Sequence, residues 1–178
     1  MQNDNLKSYL HFHVIVFIWG FTAVLGALIS IGAIALVWYR MLIASVVIYG
    51  YIRYKKISLK AKKKTIFTLC VAGILIALHW LAFFGAIKIS NVSITLAMMS
   101  TGAFFTSILE PIFYKRKVIW YEIAFGLLVV CGLYIIFEVE TRYTEGIIVA
   151  LVATLLSSIF TLINGKVAQK HNPTMISF

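Results

Sequence analysis

The strongest constraint on this chain is the length of its uncharged runs. From Ile66 to Ile87 the sequence IFTLCVAGILIALHWLAFFGAI carries no Asp, Glu, Lys or Arg, and it exceeds the ~20 residues that a membrane-spanning helix needs. Several other runs are as long. A backbone in hydrocarbon must satisfy its own N–H and C=O groups, which leaves helices or a closed barrel. Barrel strands alternate apolar and polar residues over about ten positions, and these runs do not alternate. Composition agrees: 62% of the 178 residues are hydrophobic and 12% are charged, against roughly 45–50% and about 25% in soluble domains. The fold class expected is an all-α membrane protein, a polytopic bundle of about six transmembrane helices.

The run from about Phe12 to Ile52 is too long for one span and predicts a hairpin turning near Ser30-Ile31-Gly32. Helices are therefore expected over 12–30, 34–53, 66–88, 92–114, 118–138 and 145–164, after a tail at 1–11. Pro111 lacks a backbone donor and is expected to kink and end the fourth helix at Glu110-Pro111. Small residues at helical spacing predict close helix contacts. They are Gly73/Ala77 and Ala82/Ala86 in the third helix, Ser93/Ala97/Thr101 in the fourth, and Ala150/Thr154/Ser158 in the sixth.

The net charge of +10 does not indicate a nucleic-acid partner, because the cations sit in short segments between spans. The segment RYKKISLKAKKK (Arg53 to Lys64) is the densest, and Lys7, Lys115, Arg116, Lys117, Lys166 and Lys170 fall on the same side of an alternating chain. The opposite side holds Lys88 and Arg142, near Glu138, Glu140 and Glu145. By the positive-inside rule the N-terminus is cytoplasmic, and the basic segments attract anionic lipid. Cys70 and Cys131 lie inside apolar runs and read as small hydrophobes. No zinc spacing, nucleophile elbow or phosphate loop is present, so no metal, cofactor or catalytic group is expected. His11-x-His13 is a weak metal pair and Asn91-Val-Ser93 a chance-level sequon.

The informative polar residues are those at depth. At ~1.5 Å per residue, Arg40 lies roughly 10 Å below the outer end of the second helix, and His79, Trp80, Ser100 and Thr101 lie roughly 12–14 Å below the ends of theirs. These residues form one layer. An Arg there costs about 3 kcal/mol on insertion scales, and no acidic residue accompanies it at that depth. Arg40 either snorkels or caps carbonyls, lines a watery cavity and meets anionic groups of a solute, or closes a gate. His79 is either a neutral ring bonded to a neighbour or a cavity residue. Trp80, and Trp19 near mid-span of the first helix, are packing residues or stacking walls. Glu110 pairs with Lys115, Lys117 or a neighbouring helix, or serves as a gate contact.

Taken in order, WGFTAVLG (Trp19 to Gly26), WYRMLIAS (Trp38 to Ser45), ALHWLAFFGAIKISNVSITLAMMSTGAFFTSILEP (Ala77 to Pro111) and EIAFGLLVVCGLYIIF (Glu122 to Phe137) resemble the EamA family of the drug/metabolite transporter superfamily. One departure is Gly102-Ala103 where the family often carries a proline early in the fourth helix. The resemblance implies ten helices in two inverted five-helix repeats with solute bound between them. Residues 12–138 would form the first repeat and 139–178 the truncated start of the second, with helices 1–4 lining the cavity and helix 5 peripheral. It implies a multi-pass transporter of the bacterial inner membrane. Such a protein exports or exchanges small polar metabolites such as amino acids by alternating access. The cavity residues would be Trp19, Arg40, His79, Trp80, Ser100 and Thr101, with Glu110 at the gate. Two further readings are a half-size transporter that works as a homodimer and a membrane scaffold or defunct fragment that transports nothing.

Overall fold

The computed structural model describes residues 2–137 and 141–178. The described residues form helices and short turns, without a β-strand. The helices are α1 (Gln2–Leu28), α2 (Ala33–Lys55), α3 (Lys63–Ile89), α4 (Val92–Met99), α5 (Gly102–Tyr114), α6 (Trp120–Phe137), α7 (Thr144–Ala168) and α8 (Pro173–Ser177). Among the described residues, five segments are long and apolar enough to cross a membrane: Leu6–Leu28, Ala33–Lys55, Lys63–Ile89, Val92–Tyr114 and Thr144–Ala168. The apolar stretch of α6, Trp120–Ile135, is shorter. The chain is a multi-pass helical membrane protein.

Helix ends follow local chemistry. The α1–α2 turn falls at the expected Ser30-Ile31-Gly32, and the Lys88 ammonium donates to the Ile29 carbonyl. That bond satisfies a carbonyl left orphaned at a helix C-terminus. The Asn91 side chain, part of the weak sequon, accepts from Ile94 N at 2.9 Å and caps α4. α2 and α5 both end on a lysine in the left-handed conformation, Lys56 and Lys115, each at φ 53°.

Three expectations change. α1 begins at Gln2, so the stretch assigned to a tail, 1–11, is helical over its described part. Pro111 does not end the fourth span, because α5 continues through it to Tyr114. The interruption lies instead at Ser100-Thr101, between α4 and α5. There the Ser100 hydroxyl donates to Ala97 O at 2.6 Å and the Thr101 hydroxyl to Met98 O at 2.7 Å. The Thr101 N–H turns to Met98 O, three residues back. Hydroxyls that bond their own backbone compete with the helical ladder, and Gly102 follows, a residue with low helix propensity.

α7 is the organising element, packing against α3, α4 and α5, while α1 and α2 pack on α3, α6 on α5, and α8 on α2 and α7. Its face of Gly146, Ala150, Ala153, Thr154, Ser158 and Leu162 is buried. Small residues let the backbones approach, as the Ala150/Thr154/Ser158 spacing suggests. A Cβ on Gly146 would overlap the Ser90 side chain. Of the expected stripe Ser93/Ala97/Thr101, Thr101 is buried, Ala97 half-buried and Ser93 exposed; the buried residues of α4 itself are Ile94, Thr95 and Met98. Gly73 of α3 also departs from expectation, since a Cβ there meets nothing within 4 Å. It faces open space.

Tertiary contacts define two ends of the bundle. Ile29, Lys88, Ser90 and Gly146 meet at one. At the other, the Tyr114 hydroxyl donates to Leu162 O at 3.0 Å, and Lys166 lies 5.2 Å from the Tyr114 ring centroid. α3 and α7 therefore run antiparallel, and so do α1 and α7.

α6 approaches α5 at Gly126, where a Cβ would stand 2.9 Å from the Phe104 Cα, a backbone atom that cannot swing aside. Gly126→Ala should therefore destabilise the protein by about 1–3 kcal/mol through overpacking, whereas Gly73→Ala should be tolerated. Thermal unfolding of both variants in detergent checks the contrast; equal melting temperatures would contradict the α5–α6 approach.

Candidate functional site

The site is built on one turn of α3. Trp80, Phe83 and Phe84 lie three and four residues apart and so share a helix face. Trp80 stacks on Phe84, with ring centroids 5.6 Å apart and planes 21° from parallel. Phe83 meets Trp80 edge-on at 5.6 Å. Phe84 is held from below by α1, because its ring occupies the place where a Cβ on Gly26 would stand. The core beneath includes Ala23, Leu36, Val37, Ile87 and Ala153, with Met99 packed against it.

Arg40 of α2 lies over this platform. Its guanidinium carbon is 3.9 Å from the Trp80 centroid and 5.7 Å from that of Phe84. Such a contact stabilises a cation by about 0.5–2 kcal/mol, more as water is excluded, which offsets part of the cost of holding charge at this depth. The residue is half-buried, and among the described residues no carboxylate pairs with it. The positive charge lies on an aromatic face, and among the described residues its N–H groups have no hydrogen-bond acceptor.

His79, next to Trp80, turns the other way and is buried. Its Nδ1 lies 2.8 Å from the Ala153 carbonyl of α7. A carbonyl oxygen can only accept, so Nδ1 carries the proton and donates. This bond ties α3 to α7 directly behind the aromatic platform, where the rings of His79 and Trp80 are 4.9 Å apart.

The other residues of the expected layer have different surroundings. Ser100 and Thr101 form the α4–α5 interruption, with both hydroxyls committed to their own backbone. Beside it, a cavity of about 170 Å³ is lined by Gly102, Thr106, Thr154, Ser157, Ser158 and Thr161. Trp19 is 69% exposed on α1 and has no ring contact with Arg40 or Trp80. Glu110 lies at the other end of the bundle. It pairs neither with Lys115 nor with Lys117 but with Arg116, whose Nη2 is 3.0 Å from Glu110 and 2.7 Å from Glu122. The left-handed turn at Lys115 reverses the chain so that Arg116 bridges α5 and α6. The Glu122 hydrogen bond, with Glu110 adding to it against desolvation, raises the Arg116 guanidinium above its ordinary value. No group of three His, Cys, Asp or Glu side chains that could hold a metal occurs among the described residues.

Phe83, Phe84 and Thr154 were not singled out as site residues from sequence. The i+3 and i+4 spacing from Trp80 was the available signal for the two phenylalanines. Thr154 was marked only as part of the small-residue stripe Ala150/Thr154/Ser158; its hydroxyl lies 3.3 Å from Met98 O on the interrupted span.

No curated protein and no solved structure matches the chain. Residues 6–138, from α1 through α6 and so including the aromatic platform and Arg40, match the EamA-like transporter family. With most of its length matched and its helices built to cross a bilayer, this chain belongs to the EamA-like transporter family of membrane proteins.

Proposed function

We propose that the protein moves small polar metabolites carrying a carboxylate or phosphate, amino acids among them, by alternating access, as an exporter or exchanger. The observation that carries this reading is the Arg40 guanidinium, 3.9 Å from the Trp80 ring centroid and without a carboxylate partner among the described residues. Guanidinium groups bind carboxylates and phosphates through paired N–H donors, and an ionisable residue inside a membrane bundle is by default a functional group. His79 forms the wall behind the platform and Trp80 its floor. Ser100 and Thr101, at an interrupted span, occupy the kind of position where transporters place solute sites.

The same reading makes α1–α6 the first repeat of an inverted pair and α7 the first helix of the second. The support is that α1 and α7 cross the bundle in opposite directions. The bundle end carrying the Arg53–Lys64 loop, Lys115–Lys117, Lys166 and Lys170 is assigned to the cytoplasm of a bacterial inner membrane, which puts the N-terminus there too. Glu110, tied to Arg116 and Glu122, is assigned to the cytoplasmic gate.

Arg40→Ala should weaken binding of anionic solutes by about ten- to hundred-fold, the loss expected of a charged hydrogen-bonding partner. Arg40→Lys keeps the charge but loses the paired donors, and falls between. Uptake into reconstituted vesicles over a panel of anionic and neutral metabolites checks this. A variant with unchanged selectivity would remove Arg40 from the site.

His79 separates structure from contact with solute. In His79→Asn the side-chain amide still donates to Ala153 O, so stability should hold; His79→Ala should lose about 1–3 kcal/mol. If His79→Asn folds and also transports at the parent rate, the ring's role is only to join α3 to α7; lost transport in a stable protein places the ring at the solute.

A further inference from the structure

We infer that the cleft between α2, α3, α7 and α8 is an anion-attracting access route, through which small anions pass from the basic end of the bundle to the Arg40–Trp80 platform. The inference rests on the proposed site at that platform. The cleft has a volume of about 630 Å³. Its inner limit is Met41, adjacent to Arg40 on α2, and Ile76, one turn before His79 and Trp80 on α3. Its mouth is Leu59 and Ala61, in the α2–α3 connection, which carries Lys56, Lys60 and Lys62 and is flanked by Arg53 and Lys55 at the end of α2 and Lys63 and Lys64 at the start of α3.

Side-chain charge is one-sided along the route. No Asp or Glu occurs between Asp4 and Glu110, which covers α2, its loop and α3. α8 has none, and Glu145 of α7 lies at the opposite end of the bundle. Walls of low dielectric focus the field of charges at a mouth and can raise local counter-ion concentration and on-rates by about 10–10³-fold. Salt screens the effect beyond a Debye length of about 10 Å at 0.1 M. The interior is open rather than packed: Gly73 lines the cleft, and a Cβ there meets nothing within 4 Å. The basic loop, read from sequence as a topology signal, then has a second role as the collector for the solute.

Cys70 lines the cleft and is a free thiol, whereas Cys131 of α6 is not among the residues that line it. The test is the rate at which Cys70 is modified in Cys131→Ser protein reconstituted in vesicles. The probes are two membrane-impermeant methanethiosulfonates, one with an anionic sulfonate and one with a cationic trimethylammonium group. Each rate is divided by that reagent's rate on a free thiol. From the side of the basic loop the anionic reagent should be favoured about tenfold or more at low salt. The preference should collapse at high salt and when Lys60, Lys62 and Lys63 are changed together to Gln. Ala61→Trp, which fills the mouth between the basic loop and Cys70, should slow both reagents several-fold. Modification only from the opposite side, absence of modification, or equal or cation-favouring rates would overturn the inference. The readout needs no transported solute. An anion preference at Cys70 alongside an indifferent Arg40→Ala would therefore sink the site and leave the route, and the reverse result would sink the route alone.

Discussion

The seam between α3 and α7 is the contact on which the rest of the bundle depends. Lipid tails supply no hydrophobic drive for helix association, so close packing and interhelical hydrogen bonds must hold two spans together. α7 supplies both. Gly146, Ala150, Ala153 and Thr154 remove bulk from its face, and the Ala153 carbonyl receives the His79 ring. The seam holds α3 on one side, and Thr154 reaches the Met98 carbonyl of the interrupted span on the other. Helices α1 and α2, which pack on α3, are positioned only as well as α3 is.

Rigidity at the seam gives the site its geometry. His79 and Trp80 are consecutive, so their side chains diverge around the helix. One ring is anchored to α7, and that orients the other toward α2. Trp80 is further clamped by Phe83 and Phe84, and Arg40 settles on its exposed face. The guanidinium is steadied by its contact with the Trp80 ring, 3.9 Å away, rather than by an ion pair among the described residues. A carboxylate partner within the chain would have consumed its N–H donors.

Much of this was legible beforehand. Uncharged runs located the spans and the α1–α2 turn, because a bilayer admits only helices of sufficient length. Arg40, His79 and Trp80 were legible as a layer, because rise per residue converts position into depth. The failures were local contests. Pro111 reads as a helix breaker, but the hydroxyls of Ser100 and Thr101 capture carbonyls and break the ladder a few turns earlier. Trp19 shows that depth says nothing about rotation: its ring is exposed on α1 and does not join the platform. Glu110 met its cation at position 116 because Lys115 takes a left-handed turn that no propensity scale requires of lysine.

The sequence by itself determined that this chain spans a membrane as helices, which of its loops share a side of an alternating chain, and how far along its helix each polar residue lies. Those properties depend on composition and on distance along one axis. The tertiary structure alone decided which residues at a given depth face one another. Azimuth around each helix is set by contacts between spans, by His79 on Ala153, Phe84 against Gly26 and Arg116 between two carboxylates, and those contacts join residues far apart in the chain.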